Sequence, residues 1–296
     1  MWAVKRISET NRLQPRRAEI TAAFPELSNA TFRLLTTGWH STAVDVDDRL
    51  IFKFPRHEVA EKALVKEANL LAVIRPAVTM PVPDLTLHPG PSLFSRHEKL
   101  KGEHLIAARY DRLPERARQR LAEQMALFYA ELHRLDPGDM EAAGAGPIEA
   151  WLLAEEIVDK ALPALPSALR VIAERIVSAW QDLPPDPHGT TFGFFDGHGW
   201  NMAFDSVRNQ LNGMYDFADS GFGALHQEFI YSNFIAPDLT KRIVAGYEAL
   251  TGRGLDRRRI ALLTGVHWLS ELAELADDPF HVSAIINNVV DWAKMQ

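Results

Sequence analysis

The stretch Phe194-Phe195-Asp196-Gly197-His198-Gly199-Trp200-Asn201 puts an acid, an imidazole and an amide into one short glycine-containing loop. Fifteen residues after Asn201 the chain runs Tyr215-Asp216-Phe217-Ala218-Asp219. Met202-Ala203-Phe204 and the run from Leu211 to Tyr215 read as short strands, so Asp196, Asn201 and Asp216 stand on two loops that frame a hairpin. That set suits phosphoryl transfer. One carboxylate takes the proton of an attacking hydroxyl, while an amide and a second carboxylate hold Mg²⁺ against nucleotide phosphates. Taken singly the residues say less: Asp before Gly is a common turn residue, and Asn201 or Asp216 alone would satisfy nearby backbone groups. Together they read as a base, Asp196, and two metal ligands, Asn201 and Asp216.

The elements that must position this set come in two compositional blocks. Residues 16–24 read as a short helix, and Thr31–Leu35, Ala43–Val46 and Leu50–Phe54 as three strands joined by hairpin-length connections, Thr36–Thr42 and Asp47-Asp48-Arg49. Glu58–Ile74 switches to helix period, with Ala60, Leu64, Ala68 and Leu71 on one face. Two further strands are expected at Leu85–His88 and Ser92–Ser95. Past Gly102 the chain turns helical: Ala117–Leu135 has an apolar stripe that stops at Asp136-Pro137-Gly138. A Gly/Ala-rich loop is expected over Gly138–Pro147, then helices at Trp151–Leu162, Leu169–Trp180 and from Asp238 onward. The fold class is therefore α+β, with a small β-rich part at residues 1–98 and a larger helical part at 99–296.

Composition narrows the function classes. The 296 residues carry a net charge of −7, with 47% hydrophobic and 24% charged residues, which fits a protein with a sizeable core and excludes global disorder or coiled coil. There is no cysteine, hence no disulfide, zinc–thiolate site, iron–sulfur cluster or Cys nucleophile. The GxxxxGK, GxSxG, HExxH and strand-linked GxGxxG signatures are absent, and the eleven histidines do not cluster at ligand spacing. No apolar run approaches the roughly 18 residues of a membrane span, and no signal peptide is visible, so a cytoplasmic protein with no membrane partner is expected. The Asn29-Ala30-Thr31 sequon then has no meaning. Mild acidity and dispersed basic residues argue against nucleic acid as the ligand.

The motif set resembles the aminoglycoside phosphotransferase and choline kinase branch of the protein-kinase-like fold. Asp196, His198 and Asn201 match the family's catalytic loop His-Gly-Asp-x-His-x-x-Asn, and Tyr215-Asp216-Phe217-Ala218-Asp219 matches its metal motif Ile-Asp-Phe-x-Asp. Ile51-Phe52-Lys53-Phe54-Pro55-Arg56-His57 is similar to the third-strand lysine segment of 2″-aminoglycoside phosphotransferases. Glu67 falls on the following helix where the family places the lysine's partner; Glu61 is its rival. Ser92–Gly102 is similar to the strand and hinge that bind the nucleobase, and Leu132-His133 to the end of the helix before the catalytic loop. The resemblance covers roughly residues 30–230. It implies a bilobal kinase-like fold in which nucleotide and Mg²⁺ lie between the lobes. ATP or GTP would be the donor, a small-molecule hydroxyl the acceptor, Asp196 the base, Lys53 the phosphate clamp and Glu67 its orienter. Ser41 and Gly38 contact nucleotide on this reading, or else belong merely to a hairpin turn.

Two departures qualify that expectation. Phe194 and Phe195 replace the loop's His-Gly, where an aromatic retains the packing role. Gly223–Glu228 replaces the usual Gly-Asp-Pro and later Asp, leaving Glu228 as the substitute acid. Near the C-terminus Glu271, Glu274 and Asp278 share a helical face beside Trp268, which is either a solvated face or an acidic, aromatic-backed pocket for a cationic acceptor. The leading expectation is a kinase of a small molecule, an aminoglycoside or another sugar or amino alcohol. A nucleotide-binding pseudokinase that no longer transfers phosphate is the alternative.

Overall fold

The β-branched and aromatic runs become strands, and the 3.6-period runs helices, in a computed structural model that describes residues 9–35, 41–278 and 282–293. In chain order the elements are α1 (Glu9–Ala23), β1 (Phe32–Leu35), β2 (Ser41–Val46), β3 (Leu50–Pro55), α2 (Glu58–Ile74), β4 (Thr86–His88) and β5 (Phe94–Glu98). Next come α3 (Ala107–Tyr110), α4 (Glu115–Leu132), α5 (Pro137–Ala142), α6 (Ala154–Ala164), α7 (Ser167–Gln181), β6 (Thr190–Gly193), β7 (Met202–Asp205), β8 (Gln210–Met214) and β9 (Gly221–Ala224). The chain closes with α8 (Pro237–Thr251), α9 (Arg257–Glu274) and α10 (Val282–Ala293). Two compact units result, each built from three chain segments.

The first unit comprises Met1–His104, Arg134–Ala145 and Asn201–Ala218. Its antiparallel sheet has the order β1-β2-β3-β5-β4. The β2–β3 hairpin turns on Asp47 and Asp48, both left-handed at φ 55° and 53°, the pair of positive angles that a two-residue type I′ turn requires. Strand alternation sends Phe52 and Phe54 into a core with Ile20, Val44, Val46 and Phe94. Lys53 therefore faces the other way, on the face it shares with Ala43 and Ser95 directly opposite. Helix α2 starts on His57, whose Nδ1 accepts the Ala60 amide at 3.2 Å, and buries Ala60, Leu64, Glu67, Leu71 and Ile74 along one stripe. Strands β7 and β8 form the separate hairpin that ends at Met214.

The second unit comprises Leu105–His133, Gly146–Trp200 and Asp219–Gln296. Helix α4 packs on α8, and β6 pairs with β9. Helices α6, α7, α9 and α10 close a second core on Ile157, Ala161, Val177, Val266, Leu269 and Val289. Gly252, left-handed at φ 71°, returns its amide to the Glu248 carbonyl and ends α8.

Two sequence expectations change. The segment expected as a loop over Gly138–Pro147 begins as α5, because Asp136, besides following α4, caps the Asp139 amide at 3.1 Å with Pro137 at the first helical position. The pair β6 and β9 was not expected: these are four-residue strands, and Gly193, Gly221 and Gly223 leave them without a side-chain alternation to read.

Candidate active site

In the first unit Lys53 Nζ lies 3.1 Å from both Glu67 carboxylate oxygens and 3.0 Å from Asp216 Oδ1. The lysine head is 15% exposed and Glu67 only 2%, so this is a largely buried ion pair with Asp216 at its open edge. Burial alone would lower the Lys53 pKa. The Asp216 and Glu67 charges outweigh burial and raise it, so the ammonium stays charged at any physiological pH. Burial pushes Glu67 upward against the pull of Lys53, and the Phe217 amide adds a hydrogen bond to Glu67 Oε1 at 3.2 Å. Lys53's helical partner is thus Glu67 rather than Glu61.

Asp216 is left-handed at φ 71°, a conformation that costs a non-glycine residue on the order of 1 kcal/mol or more and persists where its surroundings impose it. The preceding Tyr215 amide donates to the Asn201 carbonyl at 3.1 Å, which brings the two ligand candidates Asn201 and Asp216 to adjacent strand ends. Asn201 is buried and Asp216 exposed. An amide oxygen and a carboxylate are hard donors, and Mg²⁺ takes one or two such protein ligands together with substrate phosphates, so the pair fits that ion.

Ser41 pairs with Pro55, two positions along the strand from the Ala43–Lys53 pair, and so lies on the Lys53 face. Gly38 lies outside the described residues. The same face carries two groups that the sequence did not single out. Ser95, opposite Lys53, is fully buried with no hydrogen-bond partner for its hydroxyl. His97, opposite Ile51, donates from Nδ1 to the Glu98 carbonyl at 2.8 Å. Burial pushes His97 down to about 4, so it is a neutral ring at pH 7.

In the second unit the loop that carries Asp196, the candidate base, is held from behind. Glu228, with no exposed surface, accepts the Phe194 amide at 2.9 Å through Oε2 and the Phe195 amide at 3.0 Å through Oε1. His133 Nε2 stands 3.4 Å from the same carboxylate, and its Nδ1 lies 2.8 Å from the Tyr247 hydroxyl. Glu228 therefore does what the missing later Asp was needed for: it braces the loop. Phe194 is buried edge-to-face on Phe128, and Phe195 takes φ 52°, another left-handed non-glycine residue, directly before Asp196. A Cβ on Gly197 would overlap the Tyr129 hydroxyl, so only glycine fits there. His198 Nε2 donates to Asp196 Oδ1 at 2.9 Å, which makes His198 an orienter of that carboxylate.

Beside this loop α9 presents an aromatic wall. Phe234 stacks on His267 with ring centroids 5.0 Å apart and lies tilted against Trp268 at 4.2 Å, and the Trp151 indole N–H donates to His267 Nδ1 at 3.2 Å. Burial, reinforced by the nearby His198, pushes His267 down to about 4. Of the three acids on the C-terminal face, Glu274 is exposed, whereas Glu271 turns inward and its Oε2 is buried without a hydrogen-bond partner. Burial, then the Glu274 charge, raises the Glu271 pKa, and the Asp196 charge adds to the rise. The solvated-face reading fails at Glu271, which sequence spacing could not distinguish from its neighbours.

A model of the phosphotransferase enzyme family, APH, matches residues 26–263. The chain belongs to that family. It is therefore a phosphotransferase, and its fold is the kinase-like fold of known members. The chain is similar to the GDP complex of wild-type aminoglycoside 2′-phosphotransferase-IIIa, with TM-score 0.82 and 21% identity over 94% of this chain and 97% of that one. It is similar also to the GDP and kanamycin complex of APH(2″)-IIIa, with TM-score 0.79 and 21% identity over 95% and 99%. A macrolide 2′-phosphotransferase, MphH from Brachybacterium faecium, superimposes with TM-score 0.64 and 16% identity over 91% and 97%. No curated protein matches the chain in sequence. Among the described residues no helix is long and apolar enough to cross a membrane.

Proposed function

We propose that this phosphotransferase moves the γ-phosphate of ATP or GTP, held with Mg²⁺, onto a hydroxyl of a small amine-bearing molecule. The observation that carries the reading is the charged, partly buried Lys53, gripped by both oxygens of Glu67 and touching Asp216. An ammonium so placed, with a metal-ligand candidate beside it, is what the phosphates of a Mg–nucleotide require. Asn201 and Asp216 would hold the ion, whose chemistry is to neutralise charge developing on the phosphate oxygens. Lys53 binds phosphate, Glu67 fixes Lys53, and Ser41 contributes from the neighbouring strand. The acceptor oxygen bonds to the γ-phosphorus as the bond to the β–γ bridging oxygen breaks, and the hydroxyl proton passes to the Asp196 carboxylate. His198 keeps that carboxylate in one rotamer. In this reading residues 1–98 serve the donor and 99–296 the acceptor and the catalytic loop, with Asn201 and Asp216 belonging to the first compact unit.

A carboxyl at Glu271 with one oxygen buried and unpartnered, on the helix that also carries His267 and Trp268, favours an acceptor that brings an amine to the aromatic wall of Phe234, His267 and Trp268. An aminoglycoside is one such compound; another amino sugar or amino alcohol is chemically equivalent at this position. ATP and GTP supply places the reaction in the cytoplasm. The test is nucleotide consumption by the purified protein with Mg²⁺ and ATP or GTP across aminoglycosides, macrolides and simple amino alcohols. Acceptor-dependent turnover supports the reading. Mg²⁺-dependent nucleotide binding without turnover on any acceptor supports the pseudokinase instead.

A further inference from the structure

Position 215 holds a polar aromatic where the metal motif usually has isoleucine, and the structure gives that change a partner. The Tyr215 hydroxyl lies 3.1 Å from Nδ1 of His104. A phenol carries its proton at neutral pH, so the Tyr215 hydroxyl can donate this bond. His104 Nδ1 is the acceptor, which puts the imidazole proton on Nε2.

His104 is itself fixed to the hairpin that carries the metal-ligand candidates. Gly102, at φ 151°, crosses β7 so closely that a Cβ would overlap the Ala203 carbonyl carbon. Glu103 and Phe204 then exchange both backbone hydrogen bonds, each 2.9 Å long. Tyr215 is thus tied at two points, by its amide to the Asn201 carbonyl and by its phenol to His104. The next residue is Asp216, in the left-handed conformation, which costs a non-glycine residue free energy even though Asp tolerates it better than most. An isoleucine could fill space at 215, but it could not make a directional bond to the 102–104 segment.

We infer that Tyr215, through its hydrogen bond to His104, is a positioning residue that holds Asp216 where its carboxylate meets Lys53 and the metal of a bound Mg–nucleotide. This rests on the functional reading above. Loss of this hydrogen bond predicts a change near tenfold, equivalent to about 1.4 kcal/mol.

The experiment is calorimetric titration of ADP with and without Mg²⁺ into wild type, Tyr215→Phe, His104→Ala and His104→Gln, together with the half-saturating Mg²⁺ concentration in turnover. Tyr215→Phe and His104→Ala are expected to lose about tenfold of the affinity gained from Mg²⁺, with metal-free ADP binding unchanged and half-saturating Mg²⁺ raised by a similar factor. His104→Gln, whose amide oxygen can accept from the phenol, is expected to restore the metal effect. A purely structural role would lower thermal stability in Tyr215→Phe while leaving the metal effect intact, and that result overturns the inference. So does a His104→Gln variant as impaired as His104→Ala. Wild type that binds no nucleotide in the presence of Mg²⁺ overturns the functional reading itself, and is distinguished by appearing before any substitution is made.

Discussion

Glutamine at position 228 keeps the shape of the side chain and removes one acceptor. The native carboxylate takes the Phe194 and Phe195 amides at 2.9 and 3.0 Å, one on each oxygen, in a spot with no solvent access. Glu228→Gln has one oxygen to offer and must aim its NH₂ at the other amide, donor against donor. One charge-assisted hydrogen bond, about 1.5–3 kcal/mol, is lost, and a buried N–H is left unsatisfied at roughly 1–3 kcal/mol. The expected loss is about 3 kcal/mol in urea unfolding, a large share of an ordinary domain's stability. Because Phe195 is left-handed and leads directly into Asp196, kcat should also fall at least tenfold while the nucleotide KM moves less than twofold. Gly193→Ala is an independent probe, since a Cβ there would overlap the same carboxylate oxygen; it should reproduce both effects. Unfolding free energy within about 0.5 kcal/mol of wild type in Glu228→Gln, with kcat intact, would refute the bracing role.

Lys53→Met strands the buried Glu67 carboxylate and should cost about 3 kcal/mol by urea unfolding, besides abolishing measurable nucleotide binding by calorimetry. His97 and His267 both sit near 4, well below the roughly 6.5 of an unfolded histidine, so below pH 6.5 the unfolded chain binds the extra protons. Their contribution to stability is therefore lost as pH falls from about 6.5 to about 4, at up to roughly 1.4 kcal/mol per pH unit for each ring, and His267→Phe should flatten the unfolding free-energy profile over that window. Glu271→Gln should raise the KM of an amine-bearing acceptor about tenfold or more and leave the nucleotide KM within twofold; equal effects on both would show that Glu271 does not face the acceptor.

Local periodicity was enough to read most of the frame. The Phe52-Lys53-Phe54 alternation put the lysine on the face away from the core, whereas Glu67, one charged residue among several on α2, was singled out over Glu61 only by the family resemblance. Asp196, Asn201 and Asp216 stood out by register alone. What escaped depends on contacts distant in sequence. Glu228 was legible as a substitute acid, but not that it holds the Phe194 and Phe195 amides more than thirty positions upstream; Tyr215 meets His104 from 111 positions away, and Glu271 differs from Glu274 only in which way α9 is turned. Helix α5 was missed for a different reason: Asp136-Pro137 is both a stop for one helix and a start for the next, and only the stop was read.

The central claim is that Asp196 accepts the proton of a hydroxyl that receives the γ-phosphate. Mass spectrometry of an amine-bearing acceptor incubated with Mg²⁺ and ATP or GTP tests it directly, with wild type and Asp196→Ala compared at matched nucleotide occupancy. The account predicts that wild type adds one phosphoryl group to an acceptor hydroxyl and that the variant, still binding nucleotide, does so about 10²- to 10⁴-fold more slowly. An Asp196→Ala protein that phosphorylates the acceptor as fast as wild type would contradict it.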